Sequence, residues 1–144
     1  LPEDSVWFWP GDGLIEEGKL KVFFSQFTQL DTGMWDFHWQ KTWLATFSLP
    51  EIVQESLVEI PYSEVNQVHY GHAILEDDAY TYVYGARKEK GNKNRAHVAR
   101  YPSGHVHGPW EFYTGKGWTD HPERSRPMSM RPTTWTVATT VKPA

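Results

Sequence analysis

Cysteine is absent from this 144-residue chain, which excludes a disulfide framework, a thiolate nucleophile and any Cys-ligated metal. Long apolar runs are absent too: none approaches the roughly 18 residues of a bilayer span, so no membrane-spanning segment is expected. The N-terminal Leu-Pro-Glu-Asp has neither the basic flank nor the apolar stretch of a signal peptide, and the expectation is a chain that begins after a removed signal. Charge is nearly balanced, with 14 Lys and Arg against 18 Asp and Glu. The resulting net charge of −4 argues against a nucleic-acid backbone or an anionic membrane surface as partner. No P-loop, G-x-G-x-x-G, H-E-x-x-H or G-x-S-x-G occurs, so nucleotide-dependent, zincin and serine-hydrolase chemistries have no motif behind them.

What the chain has in excess is aromatic: eight Trp, seven Tyr and seven Phe, more than a core of this size needs. Rings in that number suit strands and sugar-binding surfaces. Helical periodicity is scarce. Short runs rich in Val, Phe, Tyr, Trp and Thr recur between Gly, Pro, Asn and Asp clusters, the pattern of many short strands, and the fold class is all-β. Residues 11–15 and 20–27 are expected as two strands around the turn Glu16-Glu17-Gly18-Lys19. Residues 71–75 and 79–87 are expected as another pair around Glu76-Asp77-Asp78.

The two hairpins align without a gap at an offset of 60, matching Gly11 with Gly71, Leu14 with Ile74, Glu16 with Glu76 and Phe24 with Tyr84. A third strand follows in each, Trp43-Leu44-Ala45 and His97-Val98-Ala99, and a fourth is expected at 55–60 and 110–114. Four antiparallel strands per unit of about 60 residues is the arithmetic of a β-propeller blade. The expectation is one partial propeller domain over 1–144, with a first blade at 7–62 and a second at 67–115. Residues 116–144 would be a linker and a further strand, T-T-W-T-V-A-T-T-V, which either opens a third blade or closes the second. Two blades cannot close a ring. Either the chain is a piece of a longer protein or copies assemble as a homo-oligomer.

In that frame Asp12, set between glycines in Trp9-Pro10-Gly11-Asp12-Gly13, falls on His72 of Tyr70-Gly71-His72. The first strand of a blade is innermost, so both would stand at the central channel, although a Gly-Asp-Gly turn alone also accounts for Asp12. Trp9, Trp35 and Trp39 are natural sugar platforms, and His38, among aromatic neighbours, could hydrogen-bond a hydroxyl. His105 and His107 at i, i+2 could share a metal with His69, His72 or Asp12, yet they lie in a Gly- and Pro-rich stretch that reads as a solvated loop. No metal or cofactor is expected. The basic run Arg87 to Arg95 reads as a charged hairpin tip.

The segment G-D-G-L-I-E-E-G-K-L-K-V-F-F, residues 11–24, resembles the blade opening of five-bladed propeller glycoside hydrolases of the arabinanase and β-xylosidase clan. W-P-G-D-G and Y-G-H in consecutive units are similar to secreted Bacteroidetes propeller proteins of inferred sugar-active role. The resemblance implies a secreted or periplasmic protein acting on plant or microbial oligosaccharide or polysaccharide by acid/base hydrolysis, with Asp12 as general base. It implies that His72 replaces the second-blade Asp that orients the acid, a departure from the family pattern. The third-blade Glu, the general acid, has no counterpart here, and Glu111 is the one carboxylate weighed in its place. Three readings therefore stand open: part of a glycosidase, a non-catalytic carbohydrate-binding propeller, and a protein-interaction propeller.

Overall fold

A computed structural model describes residues 5–29, 37–91 and 93–128. Four strands form the first antiparallel sheet in chain order: β1 (Val6–Glu16), β2 (Lys19–Gln29), β3 (Phe37–Ser48) and β4 (Val53–Glu59). A short helix, α1 (Tyr62–Asn66), leads to a second antiparallel sheet of five strands, also in chain order. These are β5 (His69–Glu76), β6 (Tyr80–Glu89), β7 (Lys93–Pro102), β8 (Glu111–Tyr113) and β9 (Trp118–Thr119). The all-β expectation stands, and the second sheet reaches Thr119, inside the stretch expected as linker. The further strand expected within 130–144 lies outside the described residues.

Period-2 alternation decides what each strand buries. Lys21, Phe23 and Ser25 of β2 share one face with Leu44 of β3, while Leu20, Val22 and Phe24 take the other. The inner face packs against the second sheet. Phe23 and Leu44 from the first sheet meet Tyr70, Val83, Ala99, Tyr101 and Phe112 from the second in one buried cluster. Trp110, 1% exposed, sits among them, its ring 5.6 Å from Tyr101 and 6.2 Å from Phe23. Its indole N–H donates to the Val106 carbonyl at 2.9 Å, so the polar edge of the ring is satisfied in the core.

Both faces of the second sheet bury apolar groups. Tyr82, Val98 and Tyr113 form a second cluster on which Leu75, Tyr80, Tyr84, Trp118 and Met128 pack. On that side the Arg100 guanidinium lies over the Tyr80 ring at 3.9 Å and the Trp118 ring at 4.2 Å. Arg100 Nε also donates to Glu111 at 2.9 Å.

A buried ion pair of the first sheet is hydrogen-bonded to the second. Glu16 of β1, 5% exposed, accepts from Lys21 Nζ at 3.2 Å, from Tyr101 Oη at 3.2 Å and from the Val106 amide at 3.0 Å. Lys21 is 4% exposed. Burial, and then the Glu16 carboxylate, hold the Tyr101 hydroxyl far above its usual range, so it remains a donor. The α1 turn carries a second polar hub. Asn66 Nδ2 donates to Tyr70 Oη at 2.9 Å and to the Pro122 carbonyl at 3.2 Å, and Asn66 Oδ1 accepts from the Val68 amide at 3.0 Å.

The first strand of each sheet carries a bulge at corresponding positions. On β1 the register jumps between Pro10 and Gly13, and on β5 between Tyr70 and Ala73, so Gly11-Asp12 and Gly71-His72 are the displaced residues of each. The offset of 60 holds on these strands. It fails on the next pair: Glu16 and Lys19 close the first hairpin, whereas Glu76 and Thr81 close the second, a turn two residues longer. Leu20 therefore corresponds in position to Tyr82, not Tyr80. A slip of two keeps every side chain on its original face, which is why the alternation still matched.

The bulges meet. A Cβ on Gly11 would lie 2.4 Å from the Gly71 carbonyl oxygen, so the backbones of β1 and β5 approach at a distance only glycine permits.

Candidate functional site

A regular strand would send His69 and His72, three residues apart, to opposite faces. The β5 bulge removes that alternation. Their ring centroids lie 4.5 Å apart, edge to face. The other face of His69 stacks on Trp39 of β3, with centroids 4.8 Å apart and planes 13° from parallel. His69 Nε2 is hydrogen-bonded to Ser25 Oγ of β2, so three strands from two sheets fix one imidazole.

Two clefts open on this wall. One, of about 460 Å³, is lined by His38, Trp39, Gln67, His69, His72, Ala86, Lys88 and Asn94. The other, of about 370 Å³, is lined by Trp9, Pro10, Gly11, Ser25, Phe27, His69, Gly71 and His72. The two histidines belong to both. Behind the second cleft Trp9 packs on Phe27 with centroids 4.6 Å apart and on Phe37 at 5.4 Å, and Trp7 joins the group at 6.2 Å from Trp9. Trp9 remains 46% exposed, so a ring face is left for a ligand. Trp39 Nε1 is buried with no acceptor among the described residues.

Burial, followed by the neighbouring His72, lowers the His69 pKa to about 4, and burial lowers that of His72 as well. Both imidazoles are thus uncharged at neutral pH, each with one donor and one acceptor nitrogen. Such a wall can donate to and accept from hydroxyl groups, through His72 and through the His69 nitrogen that Ser25 leaves open. His97 of β7, fully buried and bonded through Nδ1 to Ser125 Oγ at 2.7 Å, is also held near 4, with burial the largest cause. A histidine whose folded pKa lies below the ordinary 6.5 takes up its proton more readily when unfolded. Stability is therefore fully present above about pH 6.5 and falls as the pH drops toward 4. Urea unfolding across this window is expected to show the decline, and in His97→Gln the slope should become shallower; an unchanged slope would remove His97 from the acid response.

The structure places the sequence-predicted residues unevenly. His72, Trp9, His38 and Trp39 all line the two clefts, and Trp35 lies outside the described residues. Asp12 lines neither. Its Oδ1 accepts from the Gly13 amide at 2.8 Å and its Oδ2 from the Ile74 amide, also at 2.8 Å, so the carboxylate ties the β1 bulge to β5 just beyond His72. Asp12 and His72 thus stand on adjoining bulges, but only His72 faces the space. Asp12→Ala would leave the Ile74 and Gly13 amides without their acceptor and is expected to cost about 2–3 kcal/mol. A chemical melt would measure it, and a change under about 0.5 kcal/mol would mean that the tie carries no load. Glu111 is paired with Arg100 on a late strand and lines neither cleft. His105 and His107 are exposed while Val106 between them is buried, and no metal-holding group of three or more ligands occurs among the described residues.

The sequence alone assigns no site role to Ser25 or Phe27, reads Lys88 and Asn94 as part of a solvated hairpin tip, and offers His69 only as a metal ligand. Gly71 was the available signal: a glycine inside a strand marks a bulge, and a bulge puts residues on either side of it on one face.

The fold and this wall define an all-β protein of two meandering sheets that presents an imidazole and aromatic cleft beside the contact between their first strands. By sequence, the chain belongs to the DUF5005 family, described as a domain of unknown function, whose model matches residues 1–141. No curated protein sequence matches it. Among solved structures it is similar to one described as a "putative hydrolase" from Bacteroides ovatus, with a TM-score of 0.60 and 20% identity. The match covers 81% of this chain and 30% of that one, so the chain spans under a third of its structural relative. At that identity the likeness concerns the fold.

Proposed function

We propose that the two sheets are adjacent blades of a β-propeller and that the His69, His72, Trp39 and Trp9 wall is the carbohydrate-binding face of a glycoside hydrolase-type protein. The observation that carries this reading is Trp39 stacked on His69, with His72 edge to face beside it, between two clefts. Flat rings offer apolar platforms for sugar faces, and neutral imidazoles donate to and accept from sugar hydroxyls. The meander order of both sheets, the meeting of their first strands and the fold likeness to a chain described as a hydrolase support it.

Within this reading Asp12 positions the site instead of acting as base. Hydrolysis with inversion needs two carboxyl groups about 6.5–9.5 Å apart across the scissile bond. Among the described residues lining the two clefts there is no carboxylate, and both Asp12 oxygens already accept from backbone amides. On this reading the residues of the two clefts supply recognition, and an acid and a base would have to come from residues outside these clefts.

Calorimetric titration of the full-length protein with arabinan-, xylan- and galactan-derived oligosaccharides tests this. At least one should bind, and Trp39→Ala should weaken it about tenfold or more, a loss near 1.4 kcal/mol. Unchanged affinity in Trp39→Ala would place the sugar elsewhere.

A further inference from the structure

We propose that the glycan held in this cleft is polyanionic, a polysaccharide bearing carboxylate or sulfate groups, and that the tip of the β6–β7 hairpin is its charged subsite. The inference rests on the carbohydrate reading above and names the class of sugar. Residues 87–95 carry five cations, Arg87, Lys88, Lys90, Lys93 and Arg95, against the single carboxylate of Glu89. That is a local charge of +4 on a chain whose net charge is −4, so the remainder of the chain carries −8. Like-sign repulsion makes such a concentration unfavourable for folding.

The tip is not internally neutralised. Glu89 accepts from Arg87 through Oε1 at 3.3 Å and approaches Arg95 Nε through Oε2 at 3.7 Å, so both its oxygens face the arginines. Lys88, Lys90 and Lys93 have no carboxylate partner among the described residues, in contrast to Lys19, Lys21 and Lys41, each of which is paired. All six charged side chains line a third cleft of about 580 Å³.

That cleft continues the sugar site. Lys88 lines both it and the 460 Å³ cleft beside His69. The register shows the path: His69 pairs with Ala86 across β5 and β6, and two residues further along β6 Lys88 pairs with Asn94 of β7. Two residues are about 7 Å of strand. A chain lying on Trp39 and His69 therefore passes Asn94 and Lys88 before it reaches Lys90 at the tip, and Lys93, which pairs with Glu89, adds its charge from the face that carries Arg87 and Arg95. The neutral imidazoles meet hydroxyls at one end while ammonium groups meet anions at the other. A saccharide with alternating hydroxyl faces and acidic groups matches both.

The test is a matched set of titrations of the full-length protein against an oligogalacturonate, a sulfated galactan oligosaccharide, a neutral xylan oligosaccharide and single-stranded DNA. The acidic glycans are expected to bind about tenfold more tightly than the neutral one at low ionic strength, an advantage that shrinks as salt screens the lysines. The order of the two acidic glycans assigns carboxylate or sulfate as the recognised group. Lys90→Gln/Lys93→Gln should remove most of that advantage and leave neutral-glycan affinity unchanged. Equal, salt-independent affinity for neutral and acidic glycans would overturn the inference while leaving the carbohydrate reading intact. Absence of binding to every glycan would overturn both, and DNA bound as tightly as the acidic glycans would overturn the assignment of the tip to a saccharide.

Discussion

Glu16→Gln is expected to lower the stability of the fold by about 3–5 kcal/mol, one of the two largest effects anticipated for a single substitution here. The cause is Lys21, 4% exposed and left without a countercharge when the carboxylate becomes an amide. Glutamine also has one acceptor oxygen where Glu16 uses two, so the hydrogen bonds from Lys21, Tyr101 and Val106 cannot all survive. Those partners come from β2, β7 and the loop after β7, so the loss falls on the contact between the sheets. Urea unfolding with a thermal scan would measure it, with the melting temperature falling roughly 10 °C or more. The double variant Glu16→Gln/Lys21→Met should recover a large part of the loss, because no buried charge then remains. A single-variant cost under about 1 kcal/mol would show that water reaches Lys21.

Gly71→Ala is the other. Gly71 has φ +102°, a region that side chains rarely adopt, and a Cβ there would lie 2.6 Å from Phe23 Cβ. Phe23 is 1% exposed in the inter-sheet core and has no room to retreat. Strain and overpacking together are expected to cost about 3 kcal/mol or more. Gly91→Ala is the comparison: its φ is +79° but nothing lies within 4 Å of the added methyl, so about 1 kcal/mol is expected from backbone conformation alone. Equal costs at the two positions would mean that the close approach of β5 to β2 is not tight. Because Gly71 sets the bulge that turns His72 toward His69, the variant should also weaken the glycan binding proposed for this wall in whatever fraction remains folded.

The hairpins were legible because their signals are local. Alternation, aromatic and β-branched content, and glycine or paired acidic residues at the turns specify β1, β2, β5 and β6 to within a few residues at most ends. The β1 strand was read as starting at 11, although it starts at Val6, because Pro10 and Gly11 look like a boundary. Pro10 pairs with Phe24 immediately before the bulge, a place where a missing N–H is tolerated. The α1 turn was not legible, since five residues carry no periodicity.

The site divides along the same line. Trp9, His38, Trp39 and His72 stood out by residue type and aromatic context, and they line the clefts. The role of Asp12 could not be read, because its partner, the Ile74 amide, lies 62 residues away and carries no side-chain signal. Ser25 and His69 were hidden for the same reason, their bond spanning 44 residues and two sheets. Lys88 is visible as charge, but its place in the cleft beside His69 depends on the β5–β6 register.

The most direct test of the account follows the imidazole resonances of His69 and His72 by NMR while a bound oligosaccharide is titrated into the full-length protein. Free protein should show His69 titrating near pH 4. On saturation at neutral pH the account predicts large shifts for both imidazoles and for the Trp39 indole, with the Ile74 amide that Asp12 holds shifting little. Shifts confined to His105 and His107, with His69 and His72 unmoved, would contradict it.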